Sequence, residues 1–187
     1  MLTSTRLEGR RCSIRPLVKR DAIALLDVRV QNRAFLEPFE PRRQESFYTL
    51  DTQRRQIDLA QQQWDEDLGF AFGVFGPRDG LIGRVALSNV VRGAWQNATL
   101  GYFVVESECG RGIATEAVGL AVRFAFADAA LHRVQAGVMP RNRASARVLE
   151  KNGFRHEGMS PRYLNINGVW EDHEMYALTA EEWSPEP

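Results

Sequence analysis

The stretch Cys109-Gly110-Arg111-Gly112-Ile113-Ala114-Thr115 follows a run, Leu100-Gly101-Tyr102-Phe103-Val104-Val105, that reads as a strand. It precedes a proline-free segment, roughly Gly112 to Ala130, rich in Ala, Leu, Val and Phe, that reads as a helix. Strand, glycine turn and helix together make an anion site. Glycines let the backbone approach a phosphate, and the unpaired N–H groups and dipole of the helix end hold it. A P-loop would need a Gly-Lys-Ser/Thr ending, and the chain contains no Gly-Lys pair. A dinucleotide fold would need a third glycine where Thr115 stands and an acid after the next strand, which ends Val138-Met139-Pro140. Taken alone, the turn reads equally well as a helix cap without a ligand.

Further along comes Pro140-Arg141-Asn142-Arg143-Ala144-Ser145-Ala146-Arg147-Val148-Leu149-Glu150-Lys151-Asn152-Gly153-Phe154. With this second element the chain resembles the GNAT acyltransferases, within them the RimJ/RimL type that acetylates ribosomal-protein N-termini. The strand, the Q/R-x-x-G-x-G/A turn and the helix after it match that family's acetyl-CoA site. The Asn-x-x-Ser helix ending in Glu-Lys-x-Gly-Phe matches its second half. Asn32 to Pro41, Leu100-Gly101-Tyr102 and Tyr163 to His173 support the same branch, and the resemblance runs from about residue 6 to 179.

The resemblance implies a sheet splayed between the strands ending at Val105 and Met139. The pantetheine of acetyl-CoA would lie along Phe103, Val104 and Val105, bonding the backbone of Phe103 and Val105 as an added strand does. Its pyrophosphate would sit on Gly110, Arg111, Gly112, Ile113, Ala114 and Thr115. Cys109 departs from the usual Gln or Arg, which removes a side chain but no backbone donor. It reads as a small turn residue or as a reactive thiol at a helix start. Asn142, Ser145 and Arg147 complete the cofactor set. Ser145 is expected to protonate the departing thiolate, although Ser and Asn also suit a plain helix cap. Tyr102 is expected to line the acceptor pocket and relay a proton. No metal ligand set is expected.

Acetyl transfer requires a neutral amine. At pH 7 roughly 14% of an α-amine is neutral, against about 0.04% of a lysine. An N-terminal acetyltransferase therefore needs a strong base less than a lysine acetyltransferase does. That matters because the family's carboxylate falls on Arg162 here. Glu40, Glu106, Asp172 or water remain as the base, and Arg162 suggests an acidic or neutral acceptor. No nucleophile–base pair points to a covalent intermediate, so direct attack in a ternary complex is expected. The resemblance implies a protein N-terminus as the acceptor, of the ribosomal-protein type. The alternatives are a small amine (antibiotic, polyamine or amino acid) or a non-catalytic acyl-CoA-binding regulatory module.

The elements that must position these residues follow from patterning. Cys12 to Arg15 reads as a short strand stopped by Pro16. Lys19 to about Val30 reads as a helix with Ala22, Ile23, Leu25, Leu26 and Val30 as its apolar face. Phe35 to Pro41, with two prolines, reads as irregular, and Thr49 to Asp67 as a polar helix. Phe70 to Phe75, Leu81 to Asn89, Ala98 to Val105 and Arg133 to Met139 read as strands. Arg143 to Lys151 reads as a short helix capped by Asn152-Gly153. Arg162 to Ile166 and Trp170 to Leu178 read as a hairpin turning at Asn167-Gly168. The fold class is α/β (α+β), a mixed, mostly antiparallel sheet of about seven strands with about four helices.

The 187 residues read as one domain, 1–187. Lys plus Arg and Asp plus Glu are both 24, so no global field favours nucleic acid or membrane. Two distant cysteines, Cys12 and Cys109, imply no disulfide framework, and a cytoplasmic setting is expected. No leader and no membrane span are read. Monomer and homodimer stay equally open.

Overall fold

The computed structural model describes residues 5–184. The strands are β1 (Leu7–Glu8), β2 (Ser13–Arg15), β3 (Phe70–Phe75), β4 (Leu81–Val91), β5 (Asn97–Val104), β6 (Arg133–Val138), β7 (Arg155–Ile166) and β8 (Val169–Thr179). The helices are α1 (Ala22–Gln31), α2 (Arg33–Leu36), α3 (Leu50–Asp65), α4 (Ile113–Arg123) and α5 (Arg143–Lys151). The strands form one sheet in the order β1-β2-β3-β4-β5-β6-β8-β7. Every neighbouring pair is antiparallel except β5 and β6. That parallel pair needs a crossover, which α4 and the π-helical turn Phe124–Asp128 supply.

Strand alternation sends Phe72, Val74, Val85, Leu87 and Leu100 to one face, where they bury with Ala117, Val118, Ala121 and Val122 of α4 and Leu149 of α5. The small residues of α4 let it lie close on the sheet. A second cluster, Leu17, Ala22, Leu25, Ile57 and Phe75, joins α1 and α3 to the sheet's β2–β3 side. Trp64 of α3 meets Phe72 with ring centroids 5.0 Å apart, closing the core near the end of that helix.

Several expectations need correction. Ile23 and Val30 of α1 are 60% and 52% exposed. The buried stripe is Ala22, Leu25, Val28 and Arg29, the last an arginine in a core-facing position because Glu40 neutralises it. Phe35 to Phe39 is not irregular: α2 and a 3-10 turn at Glu37–Phe39 fill it, with Pro38 inside the first turn, where its missing N–H costs nothing, and only Glu40 and Pro41 are irregular. Helix α4 stops at Arg123 rather than running to Ala130, because its backbone widens into the π turn. Strand β7 starts at Arg155, earlier than Arg162, since pairing with β8 overrides its polar sequence, Gly158 and Pro161. Among the described residues, with β1 included, the sheet has eight strands against about seven expected, and five α-helices stand against about four. Asn167 and Gly168 take φ values of 46° and 89°, the positive pair that a tight hairpin turn demands.

Glu116, in the first turn of α4, fixes the chain before β2. Its carboxylate accepts the backbone N–H of Arg10, Arg11 and Cys12 at 2.9, 2.7 and 2.8 Å. Burial pushes this carboxyl up, but the three N–H bonds outweigh it and hold the pKa below the usual glutamate range. Glu116→Ala is expected to cost about 2 kcal/mol. Amide hydrogen exchange at residues 10–12 should accelerate selectively, and unchanged exchange there would show that the turn holds without the carboxylate.

Candidate active site

The glycine turn lies between a 3-10 turn, Glu106–Glu108, and α4. Gly110 and Gly112 have φ of +75° and +77°, conformations that other residues adopt only with strain. Gly112 is the N-cap of α4, so the N–H groups of Ile113, Ala114 and Thr115 have no acceptor within the helix. Outside Gly110, where a Cβ would project, there is no atom within 4 Å. The turn is therefore an open cradle of donors, which fits a diphosphate. Arg111 is exposed and pairs with Glu108 at 3.2 Å. Cys109 points its thiol at the Val105 carbonyl at 3.6 Å. Partial burial of its sulfur and the nearby Glu106 push its pKa up, so the turn does not generate a thiolate.

The sheet opens beside this turn. β5 and β6 pair only through Asn97, Ala98 and Thr99 with Arg133, Val134 and Gln135. Beyond Thr99 the two strands part. The N–H of Val105 donates to the Ile82 carbonyl on the β4 side at 2.8 Å. By the two-residue alternation of an antiparallel ladder, Phe103 also turns its backbone groups to β4, opposite Arg84. Tyr102 and Val104 are the residues whose backbone faces the gap. The expectation that Phe103 and Val105 offer their backbone groups is thus corrected to Tyr102 and Val104.

Ser145 and Tyr102 meet across the gap. Their hydroxyl oxygens are 2.8 Å apart, and the Tyr102 hydroxyl also donates to the Ser145 carbonyl at 3.1 Å. Burial pushes the Tyr102 phenol up to about 12, against a smaller opposing effect of Ser145, so it stays protonated. Asn142 is the N-cap of α5, its side-chain oxygen accepting the N–H of Ser145 at 3.2 Å. Asn142 therefore orients the serine from below. Arg147 is exposed on the same helix. At the far end, Asn152 donates to the Thr115 carbonyl at 3.1 Å and to the Val148 carbonyl at 2.8 Å, tying α5 to α4. Gly153, at φ +81°, then ends the helix.

None of the three candidate bases stands free beside these hydroxyls. Glu40 is ion-paired with Arg29 at 2.7 Å. Asp172 accepts the N–H of Arg162 at 2.7 Å. Glu106 belongs to the exposed 3-10 turn, and its N–H is held by the Asn32 side chain at 2.9 Å. Arg162 sits at φ 50° in a bulge of β7, so its side chain leaves the regular alternation. His173 is buried, with Nδ1 3.0 Å from the Glu171 carbonyl, and has a structural place beside Tyr163.

Sequence reasoning missed the residues that brace the acceptor side. Arg29 stacks 4.1 Å above the Phe103 ring while it holds Glu40. The Glu40 carbonyl accepts the N–H of Asn167, and Arg141 reaches both the Pro38 carbonyl and Glu171. The 36–41 loop is thereby fastened to the β7–β8 hairpin. The only available signal was an arginine at a core-facing helix position, and a hydrophobic-face argument passes over it.

A family model described as an acetyltransferase (GNAT) domain matches residues 11–155. The chain is 45% identical over 173 residues to a probable N-acetyltransferase, YjcK, of Bacillus subtilis, covering 92% of this chain and 96% of that one. It is 36% identical over 181 residues to the ribosomal protein uS5-alanine N-acetyltransferase of Escherichia coli, covering 96% and 93%. Among solved structures, RimJ of Mycobacterium smegmatis in complex with CoA-disulfide superposes with a TM-score of 0.89 at 32% identity, covering 94% of this chain and 84% of that one. The splayed sheet, the glycine cradle and these relatives agree: the chain belongs to the GNAT family and is an N-acetyltransferase that uses acetyl-CoA.

Proposed function

We propose that the enzyme acetylates a protein N-terminal α-amine, of the ribosomal-protein type, by direct attack within a ternary complex. The observation that carries this reading is the Tyr102–Ser145 hydroxyl pair in the gap, together with carboxylates that are all otherwise engaged or exposed. Such a site can protonate a leaving group but has no dedicated base. That suits an amine with a pKa of about 7.8 better than a lysine at about 10.4. Acetyl-CoA supplies the acyl group as a thioester. The backbone of Tyr102 and Val104 and the donors of Gly110 to Thr115 hold and orient it. As the amine nitrogen bonds to the acyl carbon and the carbon–sulfur bond breaks, the Ser145 hydroxyl gives its proton to the sulfur. Tyr102 passes its own proton to Ser145 and is reprotonated from water, while water takes up the amine's surplus proton, so both hydroxyls are restored. The relatives that modify ribosomal proteins support the acceptor class, and an acceptor of that class belongs to the cytoplasm.

Thiol release from acetyl-CoA should accelerate with a peptide beginning in Ala. It should stay at background with the same peptide N-formylated, even when that peptide carries an internal lysine. Equal rates for the two peptides, or turnover with free polyamines and amino acids alone, would replace this reading with lysine or small-amine acetylation.

A further inference from the structure

Arg84 of β4 is a cation without a partner among the described residues. It stands opposite Phe103 on β5 and Gly73 on β3, on the face away from the buried Val85 and Leu87. It borders a narrow crevice of about 20 Å³, partly open to solvent, with Leu25 of α1 and Gln56, Ile57 and Trp64 of α3. No hydrogen bond or ion pair among the described residues reaches its guanidinium. It keeps a strip of accessible surface, yet burial draws its pKa down to about 10, with Arg29 and Arg43 adding to the effect and Glu40 opposing it.

The neighbouring charges do not neutralise it. Arg29 and Glu40 satisfy each other at 2.7 Å. Arg43 packs 4.7 Å over the Phe47 ring and has no acidic partner among the described residues. Two guanidinium groups, Arg43 and Arg84, are thus left over on the acceptor side of the sheet. Buried cations in folded proteins are paired, because an unpaired one forfeits its hydration without compensation. A chain that keeps such a group beside its substrate cleft has a use for an anion there.

We propose that Arg84 is a specificity-determining residue that receives a carboxylate of the acceptor, the side chain of an Asp or Glu close behind the acetylated amine. The spacing fits. Arg84 lies one strand in from β5, the strand that borders the gap, so its backbone is about 10 Å from the reacting groups. One or two residues of an extended acceptor, at about 3.3 Å each, plus the reach of the arginine, cover that distance. The phosphates of acetyl-CoA are not the occupant, since their cradle lies at the start of α4, whose buried residues pack on the opposite face of the sheet. This inference rests on the N-terminal reading above and names the sequence class that reading would favour.

The test compares two peptides, Ala-Glu-Ala-Gly-Phe and Ala-Gln-Ala-Gly-Phe, on the wild type, Arg84→Met and Arg84→Lys. The wild type should favour the Glu peptide in kcat/KM by tenfold or more. Arg84→Met should bring that ratio close to one, and Arg84→Lys should keep most of it. A ratio near one in the wild type, or an undiminished ratio in Arg84→Met, overturns the proposal. Calorimetric binding of the same peptides to the CoA complex separates the two readings. Glu-selective binding that Arg84→Met abolishes supports the Arg84 site even without turnover, in which case N-terminal acetylation alone fails. If neither peptide binds, the Arg84 proposal falls. CoA binding by both variants, measured alongside, confirms that they are folded.

Discussion

Ser145→Ala should lower kcat for acetyl transfer about a hundredfold and leave the dissociation constant for CoA within about threefold. In the proposed mechanism this hydroxyl hands a proton to the departing thiolate and is reprotonated from the Tyr102 oxygen 2.8 Å away. Alanine removes that proton and little else. The bond from the Ser145 N–H to the Asn142 cap involves only backbone on the serine side and survives the substitution. Tyr102→Phe should cost less, about tenfold, because water can resupply the serine more slowly. Saturating thiol-release rates, set beside CoA titrations of the same variants, give both numbers. A kcat for Ser145→Ala within twofold of wild type would reduce Ser145 to the third residue of a capped helix.

Asp21→Ala should be the most destabilising single change among the polar residues discussed, by about 3 kcal/mol. Asp21 takes two guanidinium bonds from Arg15, at 2.7 and 2.9 Å, and the N–H of Val18 at 2.8 Å. Arg15 in turn lies 4.0 Å over the Phe75 ring, so alanine would strand a largely covered cation against an aromatic face. The pair clamps the end of β2 to the start of α1. Burial pushes the Asp21 carboxyl up, but Arg15 and the Val18 N–H outweigh it and hold its pKa below the usual aspartate value. Because the folded pKa is the lower one, the stabilisation is complete above about pH 4 and fades as pH falls through the depressed value. Urea unfolding at pH 7 and again near pH 2.5 should show the gap between wild type and variant closing in acid. A gap of the same size at both pH values would assign the loss to packing instead of charge.

How legible the protein was differs by region, for physical reasons. The cofactor half was readable because each device there has its own residue types: two glycines at positive φ, an Asn cap followed three residues on by Ser, and Asn-Gly at a helix end. These are backbone requirements, local in sequence, and the chain met them where they were expected. The backbone facing within β5 was not readable. Which of two neighbouring residues turns to the gap depends on register with β4, a long-range fact settled by the Val105 to Ile82 bond. The same limit hid the early part of β7, where polar residues are held extended by β8, and the burial of Arg29, whose place in the core depends on Glu40 from a separate turn. The acceptor side is built almost wholly of such distant pairings, which is why a sequence that declares its cofactor says so little about its amine.

The short parallel seam between β5 and β6 has a consequence for the molecule as a machine. Only three residue pairs stitch the β1–β5 half of the sheet to the β6–β8 half, with α4 spanning the join. A pantetheine arm lying along Tyr102 and Val104 would act as the missing length of strand, so the co-substrate doubles as a structural member. By mass action, whatever binds only the folded form adds to its stability in proportion to the logarithm of its concentration. The robustness of this enzyme is then indexed to the CoA pool around it: a cell short of acetyl donor would hold a looser, more perishable catalyst, and supply would govern lifetime as well as turnover.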